Sequence, residues 1–137
     1  MTQIEFFLPI IPPTVTHQEK KVTIVKGKPV FYEPPDLADA RQKLMAYLAK
    51  HSPDEKMTGP LQLITKWCFP KGSHGNGTYK TTKPDTDNMI KLLKDVMTVL
   101  KFWNDDAQVA SEITEKFWAD VPGIYVCIKN LSGGEKT

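Results

Sequence analysis

Five aspartates and no glutamate fall between Asp85 and Asp106, a concentration of hard oxygen donors suited to a divalent cation. Asp85 and Asp87 form an Asp-Thr-Asp, and Asp105-Asp106 lies beyond the apolar stretch that follows. Mg²⁺ prefers oxygen ligands and commonly takes one or two carboxylates, completing its shell with water and substrate phosphate. A cation so held can polarise a scissile phosphate and lower the pKa of an attacking water. Lys91, one turn beyond Asp87 on a helix, could stabilise charge developing on that phosphate. Structural roles compete for the same residues. An aspartate before a helix is a favoured cap, and Trp103-Asn104-Asp105-Asp106 after one is an ordinary polar turn. Those roles account for one aspartate at each end rather than two, and a second acid past a helix C-terminus opposes the helix dipole.

The elements that must position these groups can be read from periodicity. Residues 4–8 make a short apolar strand, closed by Pro9 and Pro12-Pro13. Two β-branched runs, 21–25 and 29–32, flank Lys26-Gly27-Lys28 and predict a hairpin. Asp36 follows two prolines and opens a helix to about residue 50, with Leu37, Ala40, Leu44 and Leu48 on one face. Leu61, Leu63, Thr65, Trp67 and Phe69 alternate with Gln62, Ile64, Lys66 and Cys68, a strand pattern. Residues 70–83 hold three glycines, Lys71, His74, Lys80 and Lys83 and no acid, which reads as a mobile basic loop. Residues 87–101 are helical, with a single polar stripe of Lys91, Lys94, Asp95, Thr98 and Lys101. The rest of that helix is apolar over well over half its circumference, so it is expected to be buried on two sides. Strands at 109–118 and 123–129 follow, joined at Pro122-Gly123. The order β-ββ-α-β-α-ββ implies an α+β fold, a single small domain with helices packed on a mixed β-sheet. The domain spans residues 1–131, and residues 132–137 are expected to be a disordered tail.

At 137 residues the chain has room for one core. No segment is long and apolar enough to span a membrane and no signal-peptide pattern opens the chain, so a soluble cytoplasmic protein is expected. Cys68 and Cys127 lie in strand-like runs without metal-ligand spacing and read as reduced core thiols. Seventeen of the 18 basic residues are lysine, Arg41 being the exception. Lysine meets phosphate as a point charge, whereas arginine's fork reads guanine, so any DNA contact should read backbone and shape. Candidate phosphate contacts are Lys20, Lys21, Lys26 and Lys28 on the hairpin and Lys71, Lys80 and Lys83 on the loop; solvated surface lysines would look the same. Trp67, Phe69, Trp103 and Trp118 are better read as core aromatics than base-stacking wedges, lone His17 and His74 more often serve no catalytic role, and Arg41 reads as structural.

Lys83-Pro84-Asp85-Thr86-Asp87-Asn88-Met89-Ile90-Lys91, then Asp95, then Trp103-Asn104-Asp105-Asp106-Ala107-Gln108-Val109, resembles the signature of the RusA-type Holliday junction resolvases. The likeness is tightest over 83–109 and looser over the N-terminal prolines with His17, Tyr32-Glu33-Pro34 and the final strands. A motif of this length in a loop–helix–loop context is specific. The resemblance implies a crossover junction endodeoxyribonuclease, a homodimeric hydrolase of DNA recombination and repair, of a kind often carried by prophages. It implies Mg²⁺, with Mn²⁺ as a substitute, and four-way junction DNA as the substrate, nicked symmetrically. Carried over, Asp85, Asp87 and Asp106 are the essential carboxylates and Lys91 the essential lysine. Asp105 is a further metal-site acid and Asn88 a supporting residue. The alternative is a branched-DNA-binding module of the same fold without turnover. Intact acids argue against it, because without a metal they repel DNA phosphate.

Geometry sets one more expectation. A helix over 87–101 is roughly 22 Å long at about 1.5 Å per residue, which separates Asp85 and Asp87 from Asp106. Ligands of one Mg²⁺ must come within about 2.1 Å of it. Either the segment after the helix folds back, or a homodimer through the second helix, packed antiparallel on its mate, completes the site from two chains.

Overall fold

The computed structural model describes residues 3–15 and 21–132. Four strands form one mixed sheet in the order β1-β6-β4-β5: β1 (Gln3–Leu8), β4 (Leu61–Pro70), β5 (Val109–Ala119) and β6 (Gly123–Asn130). β6 pairs antiparallel with both β1 and β4, while β4 and β5 run parallel. Parallel neighbours need a crossover, and α2 (Thr86–Val99) supplies it. β2 (Lys21–Val25) and β3 (Lys28–Tyr32) form a separate two-stranded sheet, followed by α1 (Pro35–Leu48) and a 3₁₀ turn at Ala49–His51.

Local chemistry accounts for these elements. Lys26 and Gly27 both have positive φ, the primed geometry that suits a two-residue hairpin loop. Pro35 sits in the first turn of α1, where its missing N–H costs nothing. On that helix Arg41 Nε and Nη2 both donate to Glu33 Oε1, at 3.2 and 2.9 Å, a structural use of the single arginine. In β4 the expected alternation holds: Leu61, Leu63, Thr65, Trp67 and Phe69 are buried. Thr65 is a buried polar group, and its hydroxyl accepts from Trp67 Nε1 at 2.8 Å.

α2 ends earlier than its sequence pattern suggested. Lys101 takes φ +64, Lys101 N–H donates to Thr98 O, and Phe102 N–H donates to Met97 O. This is a Schellman closure, sealed by the buried pair Met97 and Phe102. The broad apolar surface of α2 is buried within its own chain: Met89, Ile90, Leu92, Leu93, Val96 and Met97 join one core with α1 and the sheet. Burial on two sides was expected; α1 supplies the second side. Val99, 63% exposed, is the exception among these apolar side chains.

The segment after β4 is irregular, as its composition suggested, but it is tied to β5 through one antiparallel bridge, Tyr79 with Phe117. Gly77 N–H donates to Trp118 O, Trp118 N–H to Thr78 O and Lys80 N–H to Lys116 O, while Lys71 N–H on Ala119 O continues the β4 ladder on the other side of β5. The C-terminal end of the free edge of β5 is thereby covered, which protects that part from pairing with another chain. Cys68 and Cys127 are both free thiols, as expected. Ser132 is bonded to Asn130 through its N–H and its hydroxyl; the rest of the expected tail lies outside the described residues.

Candidate active site

The first half of the motif forms the entrance to α2. Pro84 is buried, the Lys83–Pro84 peptide is cis, and Asp85 stands at the N-cap in extended conformation. Its side chain makes no capping hydrogen bond, so capping does not explain this aspartate. Asp87 lies in the first turn, and both carboxylates are exposed. Lys91 is exposed one turn on, and Asn88 is half-buried between them in sequence.

The second half of the motif is a clamp. Trp103, 1% exposed, donates from Nε1 to Thr98 Oγ1 at 2.7 Å and tethers the segment to the end of α2. Asp105 caps the 3₁₀ turn Asp106–Gln108, its carboxylate accepting from Ala107 N–H at 2.9 Å. Gln108 Oε1 accepts from the N–H groups of Asn104 and Asp105, and its Nε2 donates to Met57 O and Gly59 O. Asp105 therefore has a structural task, whereas the half-buried Asp106 carboxylate takes no part in the clamp.

The two halves stay apart. α2 has 14 residues, about 21 Å at 1.5 Å per residue, and the clamp lies beyond its far end. Among the described residues no three acidic, histidine or cysteine side chains gather as a metal-binding group. Foldback, one of the two routes to a complete site, does not occur in the single chain.

What does face Asp87 is β5, which runs back along α2. A shallow cleft of about 240 Å³ is lined by Thr86, Asp87, Ile90, Glu112 and Thr114. Lys94 Nζ meets Glu112 Oε1 at 2.8 Å. Thr114 Oγ1 is fully buried and has no hydrogen-bond partner. An orphaned oxygen beside a carboxylate leaves room for an oxygen-bound species, and the oxygens of Thr86, Asp87, Glu112 and Thr114, which flank the apolar Ile90, suit a hard cation's hydration shell. Glu112 did not stand out in the sequence; the signal lay in alternation, since residues 112, 114 and 116 share one side of β5.

The lysines divide. Lys26, Lys28 and Lys83 are exposed, and Lys71 lies 3.7 Å from Asp120. Lys20 lies outside the described residues, as does His17, and the Lys21 side chain is likewise not described. Lys80 points inward, 8% exposed, which does not suit a phosphate contact. Its Nζ sits 4.1 Å from the Trp118 ring centre and 5.1 Å from that of Phe69, and donates to Thr82 Oγ1. Burial pulls its pKa below the ordinary lysine value, and the Lys116 charge adds to the effect. His74 stacks flat on Trp118 at 4.0 Å, fixing the loop further.

Comparison with known proteins points the same way as the motif. The family model described as "Endodeoxyribonuclease RusA" matches residues 11–129. A crossover junction endodeoxyribonuclease from Lactococcus phage r1t is 36% identical over 110 residues, covering 78% of this chain and 81% of the relative. A Bacillus subtilis (strain 168) protein, YqaN, is 28% identical over 122 residues, covering 80% of this chain and 85% of the relative.

Proposed function

The chain belongs to the RusA endodeoxyribonuclease family, and from that premise we propose that it resolves four-way DNA junctions by paired, symmetric nicks in DNA recombination and repair. The observation that carries this reading is the state of the motif carboxylates. Asp105 has a structural bond, while Asp85, Asp87 and Asp106 are left without one in the caps and clamps around them. Oxygen donors of this kind fit a divalent cation, Mg²⁺ or Mn²⁺ in its place, held by Asp85, Asp87 and Asp106. Such a cation, when bound, supplies Lewis-acid polarisation of the scissile phosphate and a more acidic attacking water. Lys91 then sets its ammonium against the charge that develops on the phosphate.

The separation of Asp87 from Asp106 supports a homodimeric site, in which the partner subunit's Asp106 approaches Asp85 and Asp87. Because the apolar side of α2 is buried within the chain and β5 flanks Asp87 and Lys94, such a dimer uses the exposed positions that α2 leaves open, Lys91 among them. Exposed Lys26, Lys28 and Lys83 are the lysines best placed to meet junction phosphates.

The test is cleavage of a labelled synthetic four-way junction in Mg²⁺, with linear duplex in parallel, comparing wild type with Asp87→Asn. Paired symmetric nicks in the junction alone are expected, lost in Asp87→Asn while junction binding persists. Tight binding without cleavage in Mg²⁺ or Mn²⁺ would replace this reading with a non-catalytic branched-DNA-binding module.

A further inference from the structure

Asp85 and Asp87 take their positions from the backbone, because no side-chain cap fixes the first turn of α2. What holds that backbone is therefore a question about the reaction. The ladder between β5 and the segment after β4 runs as far as Lys80 N–H on Lys116 O, at 3.0 Å. Among the described residues, the next tethers to β5 come from one side chain. Lys116 Nζ donates to Thr82 O at 2.7 Å and to Pro84 O at 2.8 Å, the carbonyls on either side of Lys83.

We infer that Lys116 is a positioning residue for the reaction: its ammonium fixes the turn that delivers Asp85 and Asp87. The inference rests on the reading of those two aspartates as catalytic carboxylates. An ammonium has three donors, and Lys116 gives two of them to neutral carbonyls rather than to an acid. Bonds from a charged donor are stronger than neutral ones. Two such bonds, two residues apart, set the orientation of the peptides leading into Asp85.

The register makes the placement specific. Glu112, Thr114 and Lys116 alternate along β5 and point to one side. Each meets a successive point of the facing element: Glu112 meets Lys94, Thr114 shares the cleft with Asp87, and Lys116 holds Pro84 O. Strand and helix run in opposite senses, so the row fastens α2 from its middle to the residue before its N-cap. At the end of that row, Lys116 acts on the turn and touches no reacting group.

The experiment compares wild type, Lys116→Met and Lys116→Arg by three measurements: single-turnover junction cleavage, junction affinity without metal, and amide exchange across residues 82–88. Methionine keeps the length and removes the donors; arginine keeps a cationic donor pair. For Lys116→Met we expect cleavage slowed by about tenfold or more, the range for residues that orient metal ligands. Affinity should stay within about twofold, and exchange should quicken over 82–88 while β4 and β6 keep their protection. Lys116→Arg should restore most of the rate. A loss of affinity with the saturated rate intact would make Lys116 a phosphate contact and overturn the proposal. So would faster exchange throughout the sheet, or unchanged cleavage with unchanged exchange. Should Lys116→Met fail to fold, Lys116→Leu, which likewise has no donor, takes its place with the same outcomes. Asp87→Asn beside it keeps the two claims apart. If Asp87→Asn cleaves normally, the catalytic reading falls; if it is dead and Lys116→Met is not slowed, only the positioning role falls.

Discussion

Lys94 on α2 and Glu112 on β5 form an ion pair of 2.8 Å with both side chains partly buried, at the edge of the cleft that holds Asp87. The pair joins the helix to the strand that runs back along it. Exposed pairs contribute about 0.2–1 kcal/mol, and partial burial favours the upper part of that range. A double-mutant cycle with Lys94→Met and Glu112→Gln is expected to give a coupling energy of about 0.5–1 kcal/mol by urea denaturation. Coupling indistinguishable from zero would mean that α2 is held on β5 by packing alone. Each single variant should cost more than the coupling implies, because it leaves a half-buried charge without its partner.

Lys80 gives the fold a definite pH dependence. Burial among Trp118 and Phe69, aided by the Lys116 charge, lowers its pKa from the ordinary 10.5. The folded chain thus binds this proton less tightly than the unfolded chain. The cost is fully present at neutral pH and relaxes as pH climbs from the lowered folded value towards 10.5. Lys80→Met should remove that alkaline gain from a series of denaturation curves between neutral pH and about 10. At neutral pH its effect should be within about 1 kcal/mol, since relief of the buried charge offsets loss of the contact with Trp118. An undiminished alkaline gain in Lys80→Met would assign the effect to another group.

The contrast between Lys80 and Lys83 shows what was legible in the sequence and what was not. Periodicity located β4, both helices and the closing strands, because burial on one face writes itself into the order of apolar residues. The hairpin was legible for the same reason, its turn lying at Lys26-Gly27. The tethering of residues 77–80 to β5 was not legible, because glycine and lysine content reports solvation and says nothing of backbone bonds to a strand. Lys80 looked like its neighbours yet faces inward, held by two aromatic rings. The motif aspartates were found by type and spacing, but their separate tasks were not. That Asp105 caps a turn while Asp85 caps nothing depends on local hydrogen bonds. Glu112 was hidden because its strand was read for its apolar residues, and the cleft beside Asp87 exists only once β5 folds back along α2.

The most informative prediction concerns the distance between Asp87 and Asp106. Foldback within one chain was a fair alternative while only the sequence was known. The clamp opposes it: Trp103 and Gln108 hold the Asp106 turn beyond the far end of α2, and no metal-binding group forms among the described residues. If the reaction needs these carboxylates together, each site of a two-fold dimer takes Asp85 and Asp87 from one subunit and Asp106 from the other. Asp85→Asn and Asp106→Asn should each be inactive as homodimers. Mixed in equal amounts and allowed to exchange subunits, about half of the dimers should be mixed. In a mixed dimer, one composite site carries both substitutions and the other carries neither. Nicking activity should therefore return to about a quarter of the wild-type level, one intact site in every four. Because symmetric resolution requires two cuts, the recovered product should be a singly nicked junction rather than a resolved pair. No recovery, with subunit exchange verified by mass, would sink the shared site and require α2 to break or the clamp to open during catalysis.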